Sequence, residues 1–182
     1  MARKPNKSQA DELRGNRHEK GTSMPVNEYT PDALDRLVIE SEINRLLATY
    51  VHNLDDGKIA ENAELLDDAR FQVGDDVVNG HDEVARFFRD NVQHHQDGTP
   101  RTWHALSNIL IDIESATTAT SVSYFTVHQE MPGLPLQPIV TGRYVDTFER
   151  RDGKWRYASR RVQPRLFGDV SFHVAAPQSG QL

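Results

Sequence analysis

Four side chains combine a chemically active group with a position in or beside a predicted regular element: Tyr50, Asp55, His104 and Arg160. An imidazole ordinarily titrates near about pH 6.5, so His104 can take up a proton and later return it. Asp55 follows a predicted helix, where the helix dipole disfavours negative charge, so its carboxylate needs either a partner or solvent. These residue types suit acid–base chemistry on a bound ligand.

Two of these residues also have a structural interpretation that the sequence leaves open. His104 could be a structural histidine that hydrogen bonds a backbone carbonyl. Asp55 could be an exposed turn residue, because Asp55-Asp56-Gly57 is also a common turn sequence.

The same choice remains for Tyr50 and Arg160. Tyr50 lies on an apolar helix stripe, so it is either a core residue or a phenol that donates to a substrate oxygen. An arginine deep inside a strand needs solvent or a carboxylate. Arg160 therefore either stabilises a leaving anion or an enolate, or pairs across strands with Asp146 or Glu149.

Three helices are predicted before any long strand. Thr30-Pro31-Asp32 combines a capping hydroxyl with a proline in the first turn, and a long amphipathic helix should run from there to about Gly57. A second helix is expected at about 59–66, and a third begins near residue 80. The apolar stripe of the first helix comprises Leu34, Leu37, Val38, Leu46, Leu47, Tyr50, Val51 and Leu54.

The second half of the chain has the two-residue period of strands. A short hairpin is expected at 71–78, and Asp152-Gly153 predicts a tight turn between two long strands. The Pro-rich segment 130–138 is interpreted as a loop at a rim. Long strands are predicted at about 102–113, 118–129, 139–150 and 154–163. Helices followed by mostly antiparallel strands predict an α+β domain.

Strict alternation assigns the side chains of two strands to opposite faces. In the first long strand, a mixed face suited to a pocket wall would carry His104, Leu106, Asn108, Leu110 and Asp112. The more apolar face would carry Trp103, Ala105, Ile109, Ile111 and Ile113. In the last strand, Trp155, Tyr157, Ser159 and Arg161 would oppose Arg156, Ala158, Arg160 and Val162.

Composition narrows the class of protein. The 182 residues suffice for one domain with a core, and no apolar run approaches the roughly 18 residues of a membrane span. Absence of cysteine excludes disulfides, thiolate nucleophiles and Cys-based metal sites. The net charge of −6 disfavours nucleic-acid binding. Adjacent His94 and His95 match no metal-ligand spacing, so no metal is expected. A cytoplasmic protein that binds neither nucleic acid nor membrane is predicted.

Three segments with characteristic order and spacing resemble the SnoaL-like branch of the NTF2-like superfamily. They are YVHNLD at 50–55, WHALSN at 103–108 and the hairpin TGRYVDTFERRDGKWRYASRRV at 141–162. This branch includes scytalone dehydratase, bile-acid dehydratase and hexachlorocyclohexane dehydrochlorinase. The resemblance implies a cone of three helices on a strongly curved, mostly antiparallel sheet that encloses an apolar pocket. It covers roughly residues 32–163.

The resemblance also implies roles for particular residues. The family's catalytic aspartate and histidine match Asp55 and His104, which would form a general-base dyad, as in hydrolase triads. Tyr50 and Arg160 match a tyrosine and an arginine found in some members, and they would stabilise developing negative charge. Expected substrate-binding residues are His128, Arg143, Asn108 and Tyr124.

The sequence therefore predicts a cofactor-free lyase of the dehydratase type, or an isomerase, acting on a small hydrophobic, ring-containing molecule. A non-catalytic ligand-binding module, a polyketide-type hydroxylase or cyclase, and an accessory subunit of a ring-hydroxylating dioxygenase remain alternatives, because one fold hosts many functions. A dimer or trimer is expected. The predicted organisation is a disordered extension (1–30), the domain (31–165) and a tail (166–182) that covers the pocket or contacts a neighbouring subunit.

Overall fold

The computed structural model describes residues 29–175, so most of the predicted N-terminal extension and the last seven residues of the tail lie outside the described part. Three helices come first along the chain: α1 Ala33–Asp55, α2 Ile59–Leu65 and α3 His81–Asn91. The α1 cap is Asp32, whose side chain accepts a hydrogen bond from the Asp35 backbone N–H at 2.8 Å. None of the helices within residues 29–175 has the apolar length to cross a bilayer.

The buried face of α1 starts later than the sequence predicts. Leu34 is 71% exposed, and Leu37 and Val38 are exposed as well, so their placement on the apolar stripe is wrong. Hydrophobic spacing defines a helix face but does not show which turns of that face meet the core. The residues that α1 buries are Ile39, Ile43, Leu47, Tyr50 and Val51.

Six strands form one mixed sheet in the order β2-β1-β6-β5-β4-β3. The β1–β6 pair is parallel and the other neighbours are antiparallel. The α+β class is thus confirmed. The predicted rim loop at 130–138 is instead mostly strand, because the chain reverses at Pro132-Gly133 alone. The strands are β1 Arg70–Val73, β2 Asp76–Asn79, β3 Thr102–Ile113, β4 Thr118–Met131, β5 Leu134–Arg151 and β6 Lys154–Phe167.

A β-bulge in β3 breaks the predicted alternation of its faces. Ser107 pairs with Tyr124 and Leu110 pairs with Val122, so β3 contains one extra residue between the two pairs. Asn108 lies there with a φ of 50°. Beyond the bulge the faces exchange: Leu110 is exposed, and the three isoleucines join Leu106 against the core. These are Ile109, Ile111 and Ile113.

A second β-bulge breaks the predicted alternation of faces in β6. Thr147 pairs with Ser159 and Phe148 pairs with Tyr157, which leaves Ala158 as the extra residue. Arg160 consequently faces the helices together with Tyr157, and both are buried. The predicted separation of Arg160 from Tyr157 is therefore wrong. The helices pack on this inner face of the sheet, and the core between them is rich in aromatic residues.

Candidate active site

The carboxylate of Asp55 and the ring of His104 are in hydrogen-bond contact. Asp55 Oδ1 lies 2.5 Å from His104 Nδ1, and both side chains are largely buried, at 16% and 7% exposed. Because a carboxylate only accepts, the shared hydrogen belongs on Nδ1, which leaves the Nε2 lone pair free. An imidazole fixed in this tautomer can accept a proton through Nε2.

Two further donors hold the Asp55 carboxylate in place. The Thr102 hydroxyl donates to Oδ1 and the His104 backbone N–H donates to Oδ2, each at 2.8 Å. These bonds offset the unfavourable dipole at the end of α1. Neighbouring Asp56 points elsewhere and forms an exposed ion pair with Lys58 at 2.7 Å.

The turn after Asp55 depends on a glycine. Gly57 has a φ of 70°, in the left-handed region, and its N–H donates to the Leu54 carbonyl at 3.1 Å. A Cβ at this position would lie 2.4 Å from the carbonyl oxygen of Gly98. This close approach of Gly57 to Gly98 places the end of α1 against the 95–99 loop, which precedes the strand that carries His104.

His104 borders a cavity of about 270 Å³ between the inner face of the sheet and the helices. Its walls are mainly aromatic and aliphatic, with a few polar groups, which is the usual make-up of a small-molecule site. Aromatic side chains in the wall are Tyr50, Phe71, Phe87, Phe88, Phe125, Tyr144 and Phe167. Polar side chains are Asp76, Asn91, Thr102, His104 and His173.

A larger surface groove of about 700 Å³ lies elsewhere, between the first two helices and the β5–β6 hairpin. Its lining includes several carboxylates, among them Glu61 and Glu64, and neither Asp55 nor His104 borders it. We take the smaller cavity as the candidate site, because His104, which is bonded to Asp55, lies in its wall.

Tyr50 lies in the cavity wall and is almost fully buried. Burial raises the pKa of its phenol to about 12, against the opposing field of the nearby Arg160 guanidinium. The phenol is therefore a neutral hydrogen-bonding group. Its ring also packs edge-on against Tyr144, with centroids 5.8 Å apart.

Arg160 lies behind the cavity wall and forms a bidentate ion pair with Asp146. Its guanidinium also stacks on three tyrosine rings, Tyr50, Tyr144 and Tyr157, at 4.0, 4.2 and 4.7 Å from their centroids. Burial opposes its charge, but Asp146 raises the pKa of Arg160 above its usual value. Of the two interpretations left open by the sequence, the structure contains the pair with Asp146.

The four predicted substrate-binding residues lie away from the cavity. Tyr124 and Arg143 stand opposite each other on the outer face of the sheet, where the guanidinium donates to the phenol oxygen at 2.9 Å. His128 lies on that same face, with Nδ1 3.4 Å from the Trp103 carbonyl oxygen. Asn108 is exposed at the β3 bulge. A ligand inside the cavity does not meet these side chains.

The rings of His94 and His95, in the loop before β3, contact backbone carbonyl oxygens. His94 Nδ1 lies 3.1 Å from the Val92 carbonyl oxygen, and His95 Nε2 lies 3.1 Å from the Phe172 carbonyl oxygen. Within residues 29–175, no cluster of three or more potential metal ligands occurs.

The second histidine of the cavity wall, His173, is among the lining residues that the sequence-based set lacks. His173 belongs to the segment after β6, residues 168–175, and lines the cavity together with Val170 and Val174. Burial is the main cause that lowers its pKa to about 4, and the field of nearby His104 adds to the effect. The sequence offered one signal, scattered apolar residues in a polar tail, and no motif that marks the histidine itself.

Comparisons with known proteins place the chain in a family. The family model described as a SnoaL-like domain matches residues 35–161, more than half of the chain. The chain belongs to this SnoaL-like family. The matched range contains Tyr50, Asp55, His104 and Arg160 but stops before His173. No curated protein sequence matches it significantly.

Several solved structures share the fold of this chain. A putative scytalone dehydratase from Novosphingobium aromaticivorans is 23% identical, with a TM-score of 0.61 over 81% of this chain and 98% of its own. A hexachlorocyclohexane dehydrochlorinase from Novosphingobium barchaimii is 22% identical, with a TM-score of 0.60 over 74% and 92%.

A third similar structure is named an NTF2-like protein with a cystatin-like fold, also from Novosphingobium aromaticivorans. It is 23% identical, with a TM-score of 0.59 over 71% of this chain and 83% of its own. At such identities the likeness shows the fold alone. The predicted NTF2-like architecture, three helices on a curved sheet around a pocket, is confirmed.

Proposed function

We propose that this SnoaL-like protein is a lyase or isomerase that needs no cofactor and uses His104 as a general base. The observation that carries the proposal is the free Nε2 of His104 at an apolar cavity, with Nδ1 held by Asp55 at 2.5 Å. A carboxylate in this position fixes the tautomer and stabilises the imidazolium that forms when Nε2 takes a proton.

The cavity favours a small hydrophobic substrate with one or two rings. Its volume of about 270 Å³ is at the lower end for ligand sites, and its wall is largely aromatic. The names of two proteins with similar structures, a putative dehydratase and a dehydrochlorinase, support an elimination.

In the proposed step, Nε2 of His104 removes a proton from a carbon next to an activating group. The C–H electron pair forms the new double bond, and the leaving group departs with its own electron pair. For a hydroxyl leaving group, the imidazolium returns the proton and water is released. In an isomerisation the proton returns to a different carbon. Tyr50, neutral and in the cavity wall, donates a hydrogen bond to the developing negative charge.

Deuterium exchange on a panel of small ketones tests the proposal. One- and two-ring β-hydroxy ketones, β-chloro ketones and β,γ-unsaturated ketones are incubated with the protein in D₂O and followed by proton NMR. We expect exchange at the acidic carbon, followed by loss of the leaving group or a shifted double bond. H104A and D55N should reduce the rate by about 10²–10⁴-fold.

The matched control is H52N, which removes an exposed histidine from α1 and should leave the rate unchanged. Wild-type protein that binds members of the panel without exchange or turnover would refute the lyase and favour a binding module. Turnover that requires dissolved oxygen would favour the hydroxylase alternative. Equal rates in wild type and H104A would eliminate His104 as the base.

A further inference from the structure

The segment that follows β6 is fastened across one side of the cavity by backbone hydrogen bonds. We call residues 168–175 the C-terminal strap. Gly168 N–H donates to the Ile139 carbonyl at 2.8 Å, and Ala175 N–H donates to the Asn91 carbonyl at 3.0 Å. Bonds to both ends of the strap give it a fixed position.

The middle of the strap is held by two glutamines and a histidine. Gln93 donates through its backbone N–H to the His173 carbonyl at 2.9 Å. The amide of Gln129 and Nε2 of His95 both contact the Phe172 carbonyl oxygen, each at 3.1 Å. The main chain on either side of the His173 ring is therefore anchored, and the ring has a defined place in the cavity wall.

His173 has hydrogen-bonding capacity that the described part of the protein does not use. Its Nδ1 is buried and has no hydrogen-bond partner among residues 29–175. A buried polar group without a partner is costly, and such groups are concentrated at functional sites. The other cavity histidine, His104, is by contrast bonded to Asp55.

The ring of His173 is uncharged at neutral pH. Burial is the largest effect that disfavours a positive charge on the ring, and the nearby His104 and His95 add to it, whereas Asp55 favours the charge. A neutral imidazole still donates one N–H bond. Such a donor can hold an oxygen beside His104 without adding a second cation when His104 becomes an imidazolium.

We propose that His173 contacts the substrate and donates a hydrogen bond to the carbonyl oxygen of a ring ketone. This inference rests on the proposed function and narrows its substrate class to cyclic ketones that carry an acidic carbon next to the carbonyl. His104 takes the proton from that carbon, and the electron pair moves onto the carbonyl oxygen to give an enolate. The N–H of His173 bonds this oxygen, and the bond strengthens as its negative charge grows.

The enolate then collapses in one of two balanced ways. In elimination, the carbonyl re-forms, the β-carbon to oxygen bond breaks, and the departing hydroxyl takes the proton from His104 to leave as water. In isomerisation of a β,γ-unsaturated ketone, the γ-carbon takes that proton. His173 keeps its own proton in both cases and acts only as a donor.

Two matched ligands test the contact between His173 and a carbonyl oxygen, because only their binding affinities are compared. The ketone 1-indanone and the hydrocarbon indane have the same ring skeleton and differ in one carbonyl oxygen. We expect wild-type protein to bind the ketone roughly fivefold more tightly, since one hydrogen bond contributes about 1 kcal/mol. H173F should remove this preference, H173Q should retain part of it, and H52N should retain all of it.

Infrared spectroscopy supplies a signature that a merely structural residue would not change. The carbonyl stretch of bound 1-indanone should lie at lower frequency in wild type than in H173F, because a hydrogen bond weakens the C=O bond. If H173F does not fold, H173A is used in the same two measurements. Far-UV circular dichroism checks the fold of each variant.

The outcomes separate this inference from the proposed function. Equal affinities of wild type for ketone and hydrocarbon, or a preference that survives in both H173F and H173A, overturn the role of His173. If His104-dependent exchange still occurs in that case, the lyase proposal holds and only the role of His173 is rejected. Loss of the ketone preference in H173F, with no exchange by wild type on any ketone, supports the contact and refutes the lyase.

Discussion

Arg160 and Asp146 form a bidentate ion pair in which neither side chain is exposed to solvent. The two bonds join Nε to Oδ1 at 2.9 Å and a terminal nitrogen to Oδ2 at 2.8 Å. The remaining terminal nitrogen, Nη1, is buried without a hydrogen-bond partner among residues 29–175. The pair lies between two neighbouring strands, so its charges form part of the packing of β5 against β6.

Breaking this pair should destabilise the fold more than replacing it. D146N or R160M leaves one buried charge unpaired, and we expect each to lower the free energy of unfolding by about 3–5 kcal/mol. The double variant D146L/R160M leaves no buried charge, so it should be more stable than either single variant. Urea denaturation measures all three, with E149Q as a surface control near wild type. A double variant less stable than both singles would contradict this account.

The sequence predicted the fold class and the order of elements because these depend on local periodicity. It placed Asp55 and His104 correctly at a helix end and in the first long strand, and their mutual contact follows from that topology. The alternation of faces failed at Asn108 and Ala158, because a bulge depends on pairing with a neighbouring strand.

His173 shows a different limit of sequence reasoning. Its segment has no periodicity, and its place in the cavity wall comes from long-range hydrogen bonds to the segment around Gln93 and to β4. Such contacts are fixed by the tertiary structure. Arg160 is an intermediate case: the pair with Asp146 was one of the interpretations that the sequence left open, but the burial of Arg160 depends on the bulge at Ala158.

Gly57 should be far less tolerant of substitution than Gly74. Both have positive φ, at 70° and 59°, so alanine strains the backbone at either position by about 1 kcal/mol. Only at Gly57 does the added Cβ also meet backbone, at 2.4 Å from the Gly98 oxygen, whereas nothing lies within 4 Å at Gly74. We expect G57A to cost about 1–3 kcal/mol more than G74A in thermal or urea unfolding. Equal losses would show that the 95–99 loop moves freely away.

We propose that the outer face of the sheet is covered by another copy of the chain. Trp103 and Leu110 are 68% and 69% exposed on this face, and Leu136 and Leu166 are exposed as well. Exposed apolar groups of this size commonly mark interfaces. Light scattering should give a dimer or trimer for wild type and a monomer for W103E/L110E, with L34E/L37E as a control at two exposed leucines of α1, on the opposite side of the sheet. A monomeric wild type would refute the proposal.

The partly buried histidine of the strap should make stability depend on pH within a defined window. The pKa of His173 is lowered to about 4 in the fold, below the roughly 6.5 expected in the unfolded chain. Above pH 6.5 the ring is neutral in both states, so it adds no pH dependence. Between pH 6.5 and 4 the unfolded chain binds a proton that the folded chain does not, so stability falls as the pH is lowered.

Comparison of variants separates the effect of His173 protonation on stability from the effect of carboxylate protonation. The free energy of unfolding of wild type should fall by about 2–3 kcal/mol more than that of H173F between pH 7 and pH 4. H52N should follow wild type, because its histidine is exposed on α1. Urea titrations at half-unit pH steps measure all three proteins. Parallel curves for wild type and H173F would mean that His173 takes up its proton equally well in the folded and unfolded states.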